Sequence, residues 1–276
     1  MNQISDRTVL QSATVIVTGG ASGIGRATCH ALAREEAHVV VVDVNADGVE
    51  ATLAELGDQM AGQDTHLGLS LDVRDEEAMA SMAEQALDRF GRIDALVGAA
   101  GILRGTGSSP KPLVQISTAE WDQVLDTNLR GMFLSNRAVL PAMMKQRSGD
   151  IINISSVSGK QGRAHDAPYC ASKFGIIGMS ESLAEETRGY GIRVQVVMPD
   201  AVRTPMWDQN GPVPCPADAL PPQRVADLII YLLTLPQDTM LLGATIAPFR
   251  ARRRRKPQAE SGTTKEKAKT AVEGDI

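Results

Sequence analysis

Aromatic residues make up only 3% of this 276-residue chain, with Trp, Tyr and Phe numbering 2, 3 and 4. Any core must therefore be packed from aliphatic side chains and methionine. Cysteine is nearly as scarce: Cys29, Cys170 and Cys215 are odd in number and far apart. No C-x-x-C spacing is present, so no metal site is expected, and reduced thiols in a cytoplasmic setting are the default. No apolar run reaches the roughly 20 residues that a membrane-spanning helix needs. Met1–Arg7 is polar and lacks the apolar core of a signal peptide, and the chain shows no internal repeat. What remains is ordinary globular composition, 43% hydrophobic and 22% charged.

The net charge of −5 is unevenly spread. Residues 250–276 hold 9 Lys/Arg against 4 Asp/Glu, while the rest of the chain holds 19 against 29. An acidic body, residues 1–249, thus ends in a basic tail, 250–276, that is polar, low in aliphatics and expected to be disordered. The run Arg252-Arg253-Arg254-Arg255-Lys256 is basic enough to attract nucleic acid or an anionic membrane. It carries no aromatic residue for base stacking, and the acidic body opposes polyanions. A solvated tail is therefore expected, with neither nucleic acid nor membrane as a partner.

Short apolar runs alternate with helical patterns. Residues 13–18, 38–43, 67–71, 95–99, 150–155, 193–198 and 244–248 read as strands. Val39-Val40-Val41-Val42 shows no polar alternation, as expected of a parallel strand covered on both faces. Helices are expected over about 24–35, 46–59, 75–90, 119–146, 168–189 and 222–235. Asp75, Glu76 and Glu77 form a helix start whose acids suit the positive end of the dipole. Such alternation predicts one α/β domain, a doubly wound parallel sheet with helices on both faces. Two stretches interrupt it: the Gly/Ser/Pro loop 105–112, and the proline-rich 199–222, read as a mobile lid or substrate loop.

The first strand runs into Thr18-Gly19-Gly20-Ala21-Ser22-Gly23-Ile24-Gly25 and then a helix. Glycines at 19, 23 and 25 let a dinucleotide pyrophosphate approach the backbone and rest on the helix N-terminus, with Ser22 and Ile24 in the same turn. Asp43 lies 18 residues beyond Gly25, at the end of the second strand. A carboxylate there accepts hydrogen bonds from ribose hydroxyls and repels a 2′-phosphate, and Val44-Asn45 supply no compensating cation. NAD is therefore expected rather than NADP; the competing reading makes Asp43 only a helix cap. Asp72-Val73 either places a carboxylate near the adenine amino group or is a plain turn.

Tyr169 and Lys173 are four residues apart and share a helix face; Ser156 lies thirteen residues before the tyrosine. An ammonium near a phenol favours phenolate and is expected to lower the tyrosine pKa from about 10. Tyr169 could then take an alcohol proton or return it to a carbonyl oxygen. Ser156 would hold the substrate oxygen and stabilise its developing charge. Its neighbour Ser155 points the other way by strand alternation. His165 reads as a surface residue and Cys170 as packing.

These residues, with Gly98-Ala99-Ala100-Gly101, Asn128 and Pro199…Thr204, resemble the short-chain dehydrogenase/reductase superfamily over roughly residues 10–248. The resemblance implies a seven-stranded Rossmann-type sheet in one domain, a secondary alcohol/ketone substrate and a homodimer or homotetramer. It implies cofactor contacts at Ala100, Gly101, Pro199, Val202 and Thr204, a bond from Lys173 to the nicotinamide ribose, and Asn128 holding a water in a proton relay. The chain departs from the family's Asn-Asn-Ala-Gly at Gly98-Ala99 and from its Pro-Gly at Pro199-Asp200. Aspartate at 200 would serve if φ > 0 is required there, and it brings a negative charge towards the nicotinamide pocket. The alternative reading is a non-catalytic NAD-binding regulator on the same fold. Substrate selection is assigned to loops 102–118, 157–167 and 204–222, where Leu103, Val157, Met206 and Trp207 give a partly apolar lining.

Overall fold

The computed structural model describes residues 10–57, 65–105 and 107–249; the expected tail over 250–276, the polar start Met1–Arg7 and residues 58–59 of the second expected helix lie outside them. Seven strands form one parallel sheet: β1 (Thr14–Thr18), β2 (His38–Asp43), β3 (Leu67–Ser70), β4 (Ala95–Gly98), β5 (Gly149–Ile154), β6 (Ile192–Pro199) and β7 (Ala244–Ile246). Their spatial order is β3-β2-β1-β4-β5-β6-β7. The helices are α1 (Gly23–Arg34), α2 (Ala46–Gly57), α3 (Glu76–Phe90), α4 (Thr118–Leu125), α5 (Gly131–Gln146), α6 (Ala167–Thr187) and α7 (Pro222–Leu233). This is the doubly wound α/β sheet expected from the alternation of strand and helix patterns.

Strand residues divide between two cores with a period of two. Val39 and Val41 pack with Leu32 of α1, Leu56 of α2 and Ile229 of α7. Val40 and Val42 pack with Met79 of α3, Leu134 and Met143 of α5 and Ala184 of α6. The central strands β1, β2 and β4 need no polar face because both sides are covered. Aliphatics and methionine fill both cores, in keeping with the shortage of aromatics.

Local signals set the helix ends. Asp75 caps α3, its carboxylate accepting from Glu77 N at 2.9 Å and Ala78 N at 3.1 Å. Ser117 and Glu120 form a reciprocal capping box at the start of α4. The single helix expected over 119–146 is instead three pieces, since a π-helical turn, Asp126–Arg130, separates α4 from α5. The fully buried Asn128 sits in that turn and binds the backbone of another segment, which explains the interruption.

At the end of the sheet remote from the glycine turn, Arg193 of β6 is paired with Asp150 of β5 at 2.7 and 3.0 Å. The same guanidinium donates to the carbonyls of Leu235, Pro236 and Thr239. Burial raises the Asp150 carboxyl, and the arginine beside it draws it back down. Removing one member of such a buried pair strands the other charge. Arg193→Met should therefore lower unfolding stability by about 3–5 kcal/mol in a denaturant titration. A loss within experimental error would show that the pair contributes nothing to the fold.

Candidate active site

The glycine turn is shaped by close approach of backbone to backbone. Gly19 has φ +73°, and a Cβ there would lie 2.7 Å from Ala100 N. At Gly25 a Cβ would lie 2.0 Å from Gly19 O, a distance no side chain tolerates. Ala21 N donates to Asp43 Oδ2 at 3.1 Å, tying the turn to the end of β2. The other Asp43 oxygen accepts from Asn45 N at 3.0 Å. Asn45, not Asp43, faces the start of α2, its Oδ1 accepting from Gly48 N at 3.2 Å. The reading of Asp43 as only a helix cap therefore does not describe its bonding. Thr204 lies against the turn as well: a Cβ on Gly23 would meet the Thr204 methyl at 3.1 Å.

A cleft of about 750 Å³ opens at the carboxyl ends of the strands. It is lined by Gly19, Ser22, Gly23, Ile24, Gly25, Asp43, Asp72, Val73, Ala100, Gly101, Pro199, Val202 and Thr204 at one end, and continues to Ser156, Tyr169 and Lys173. Every residue expected to touch a dinucleotide thus lines one cavity. The backbone approach at Gly19 and Gly25, with the N-terminus of α1 behind it, forms a cradle suited to a pyrophosphate. Asp72 is not free to turn in any direction: Arg74 grips its carboxylate at 2.6–3.0 Å and holds it well below the usual carboxylate range. Arg74 itself lines the cleft, unanticipated from sequence because its partner is only two positions away and the pair reads as a turn.

Asn128 stands behind the cleft. Its Oδ1 accepts from Ile102 N at 2.8 Å, and its Nδ2 donates to Ile102 O at 2.8 Å and to Ser172 Oγ at 3.0 Å. The amide thereby splints the chain leaving β4 to α6. A side chain beginning at Gly101 would lie 3.2 Å from Asn128 Oδ1 and 3.7 Å from Lys173 Nζ, so the three positions adjoin. The departure at Gly98 has a packing counterpart, since a Cβ there would meet Met132 Sδ at 2.3 Å.

Ser155 and Ser156 use their hydroxyls differently. Ser155 Oγ donates to the Lys173 carbonyl at 2.8 Å, bracing α6. Ser156 Oγ accepts from Ser158 N at 3.1 Å, donates to Pro199 O at 3.4 Å, and lies near enough to the Tyr169 phenol to draw it down. Lys173 is buried, donates from Nζ to Ile154 O at 2.9 Å and lies 5.6 Å from the centre of the Tyr169 ring.

The electrostatics correct one expectation. Burial pushes the Tyr169 phenol up to about 12, with Ser156 and Arg163 pulling it down and Asp166 pushing it up. Burial lowers Lys173 to about 8. The pair therefore does not give a depressed tyrosine in the cofactor-free chain. The reason is burial of the phenol, which the ammonium, bonded to the Ile154 carbonyl and lying over the ring, does not offset. A second correction concerns Asp200. It is absent from the positive-φ residues, so glycine-like freedom is not what the position requires. Its charge is matched by Arg163 at 2.9 Å across the cleft wall.

The expected lid carries regular structure. Its ends are joined by a parallel bridge between Val202 and Leu220, and Pro205–Asn210 forms a 3₁₀ segment bearing Met206 and Trp207. His165 is exposed, and Cys170 packs under the turn, accepting from Arg163 N at 3.3 Å. Among the described residues no group of His, Cys, Asp or Glu is placed to hold a metal ion, and no helix is long and apolar enough to cross a membrane.

This fold and cleft define a dinucleotide-dependent oxidoreductase class. The profile of the short chain dehydrogenase family matches residues 13–212, and the chain belongs to that family. It is 35% identical over 232 residues to 3-oxoacyl-[acyl-carrier-protein] reductase FabG of Thermotoga maritima, covering 81% of this chain and 91% of that protein. It is 38% identical over 203 residues to D-threitol dehydrogenase of Mycolicibacterium smegmatis, covering 72% and 75%. The crystal structure of levodione reductase superposes with a TM-score of 0.77 at 32% identity, covering 87% of this chain and 96% of that one. Similar solved structures include a 3-ketoacyl-(acyl-carrier-protein) reductase from Brucella melitensis complexed with NADH and a metagenomic short-chain oxidoreductase in complex with NADP.

The glycine turn gives a direct prediction. Gly25→Ala should abolish dinucleotide binding in calorimetry while leaving a folded protein, because the added methyl must displace the Gly19 carbonyl. Unchanged affinity would exclude this turn as the pyrophosphate cradle.

Proposed function

We propose that the protein is an NAD-dependent oxidoreductase that interconverts a secondary alcohol and a ketone, with Tyr169 as general acid/base. The observation that carries this reading is one cleft continuous from the glycine cradle and Asp43 to Ser156, Tyr169 and Lys173. When bound, the nicotinamide accepts or donates hydride. The chain's own residues handle the rest. Tyr169 holds the proton exchanged with the substrate oxygen. Ser156, which lines the cleft beside Tyr169, would hold that oxygen as charge develops on it. Lys173 keeps a positive charge beside the ring and, by its bond to Ile154, a fixed position from which to reach the nicotinamide ribose. Asn128 fixes the strand end on which Gly101 and Ile102 lie, and through Ser172 links it to the tyrosine helix. Both of its amide hydrogens are engaged, so a relay water would have to be held by its Oδ1 or its main chain.

NAD is preferred in this reading because Asp43 faces the cleft with Val44 and Asn45 beside it and, among the described residues, no cation in a salt bridge with it. We further propose that residues 1–249 form the single catalytic domain, that 250–276 are a basic appendage, and that the protein works in the cytoplasm as a homodimer or homotetramer. The exposed Phe133 and Phe174 on α5 and α6 support association. The regulator reading leaves Ser156, Tyr169 and Lys173 without a use, and no observation favours it.

Absorbance of reduced nicotinamide, followed over secondary alcohols, cyclic diols, hydroxyacyl thioesters and hydroxysteroids with NAD and NADP separately, tests the reading. Tyr169→Phe should cut kcat by about 10²–10⁴ with NAD affinity kept; full activity would refute the role of Tyr169. Asp43→Ala should narrow the preference for NAD over NADP. Oxidation uses the phenolate, so its rate should climb with pH, while ketone reduction uses the phenol and should decline. The apparent pKa should lie below the value of about 12 for the cofactor-free chain, because a positively charged ring nearby favours phenolate. A pH-independent rate in both directions would remove proton transfer by Tyr169 from the mechanism.

A further inference from the structure

The three loops to which substrate selection was assigned meet at one side chain. Arg104 leaves the loop after β4 and is almost fully buried, its side chain 9% exposed and that of its partner Asp166 16%. Its Nη2 donates to Asp166 Oδ1 and to the His165 carbonyl, and its Nη1 donates to Asn210 Oδ1 at 3.0 Å. The backbone joins in: Leu103 N and Arg104 N both donate to Gln209 Oε1, at 2.8 and 3.2 Å. His165 is one of four non-glycine residues with positive φ among the described residues, and that turn aims its carbonyl and the next carboxylate at Arg104. The contact continues beyond the guanidinium, for a Cβ on Gly211 would lie 3.2 Å from Pro110.

None of these bonds involves Ser156, Tyr169, Lys173 or the glycine turn. They connect segments 61 to 106 positions apart. What they fix is the wall opposite the proton-transfer residues: the Pro205–Asn210 segment that carries Met206 and Trp207 into the cleft, and the turn that opens α6 three residues before Tyr169. A single planar fork reaches Asn210, His165 and Asp166 at once, which a lysine ammonium at the same place would not reproduce.

We propose that Arg104 is a positioning residue that clasps the Pro205–Asn210 segment and the Asp166 turn to the loop after β4, holding the substrate wall in place before substrate arrives. The alcohol or ketone part of this statement rests on the function proposed above; the clasp itself does not. With the clasp intact the substrate meets a preformed wall, so binding spends little on ordering the loop. Without it the wall must be ordered by the substrate, and KM rises while the proton-transfer residues remain as they were.

Trp207 reports on the wall directly. The chain has two tryptophans, so Trp121→Phe leaves Trp207 as the sole emitter. In that background, acrylamide quenching of Trp207 should increase on Arg104→Met and also on Arg104→Lys. KM for the best alcohol of the panel should rise by between about ten- and a hundredfold with kcat little changed, and NAD affinity should not move. Because Arg104→Met strands a half-buried carboxylate, the pair Gln209→Ala/Asn210→Ala, which leaves Arg104 and Asp166 paired, carries the same test in a chain whose charges are balanced. Unchanged quenching, or greater quenching with unchanged KM on a substrate that wild type turns over, overturns the proposal. Greater quenching in the Arg104 variants, where the wild type turns over no alcohol, supports the clasp and refutes the reaction instead.

Discussion

Between β1 and β4 the chain leaves for opposite faces of the sheet: α1 packs with α2 and α7, whereas the path from β4 leads to α5 beside α3 and α6. Neither set of helices covers the strand ends at that junction, and a crevice is the necessary result of such a reversal. All else at the working end is arranged around it. The strands that border the crevice must approach closely, which is why Gly19 lies under the backbone of Ala99 and Ala100 and cannot carry a side chain. α1 begins at this turn, so the helix N-terminus suited to an anion and the chain reversal are built from the same few residues.

The crevice is also where burial reshapes titration. A phenol and an ammonium sit within it, the lysine buried and the tyrosine partly so, and each is displaced towards its neutral form. Their mutual help is limited by where the ammonium points. It bonds a strand carbonyl, and this holds the lysine in place over the Tyr169 ring. With burial raising the phenol, Tyr169 is protonated at neutral pH in the cofactor-free chain.

Much of this was legible in sequence, and the residues that were share a property: their partners lie nearby in the chain or are dictated by periodicity. Val39–Val42 read as a strand covered on both faces because four consecutive apolar residues admit no solvent face. Asp75 read as a cap from the residues that follow it. Tyr169 and Lys173 read as a pair because a helix brings i and i+4 together. What escaped the sequence depends on distant partners. The π turn at Asp126–Arg130 exists because Asn128 reaches Ile102, and no local pattern announces it. The direction of the Tyr169 shift depends on how deeply the helix is buried and on the Ile154 carbonyl, neither of which is encoded in a four-residue spacing. Arg104 is one basic residue in a glycine-rich loop until Asn210 and Asp166 fold against it.

The departures from the family pattern have local answers of the same kind. At Gly98 the space that a side chain would need is taken by Met132, so the small residue and the large one form a unit. At Asp200 the charge is answered by Arg163, which lies on the loop leading into α6. Both substitutions therefore change the crevice in pairs rather than singly, and the second does so on the substrate side. The cofactor end keeps the glycine cradle and Asp43, where a small rearrangement would cost binding of a fixed ligand. The substrate end instead carries two ion pairs particular to its loops, Arg104–Asp166 and Arg163–Asp200. A fold that holds its cofactor by backbone and its substrate by loop side chains can alter the second without disturbing the first.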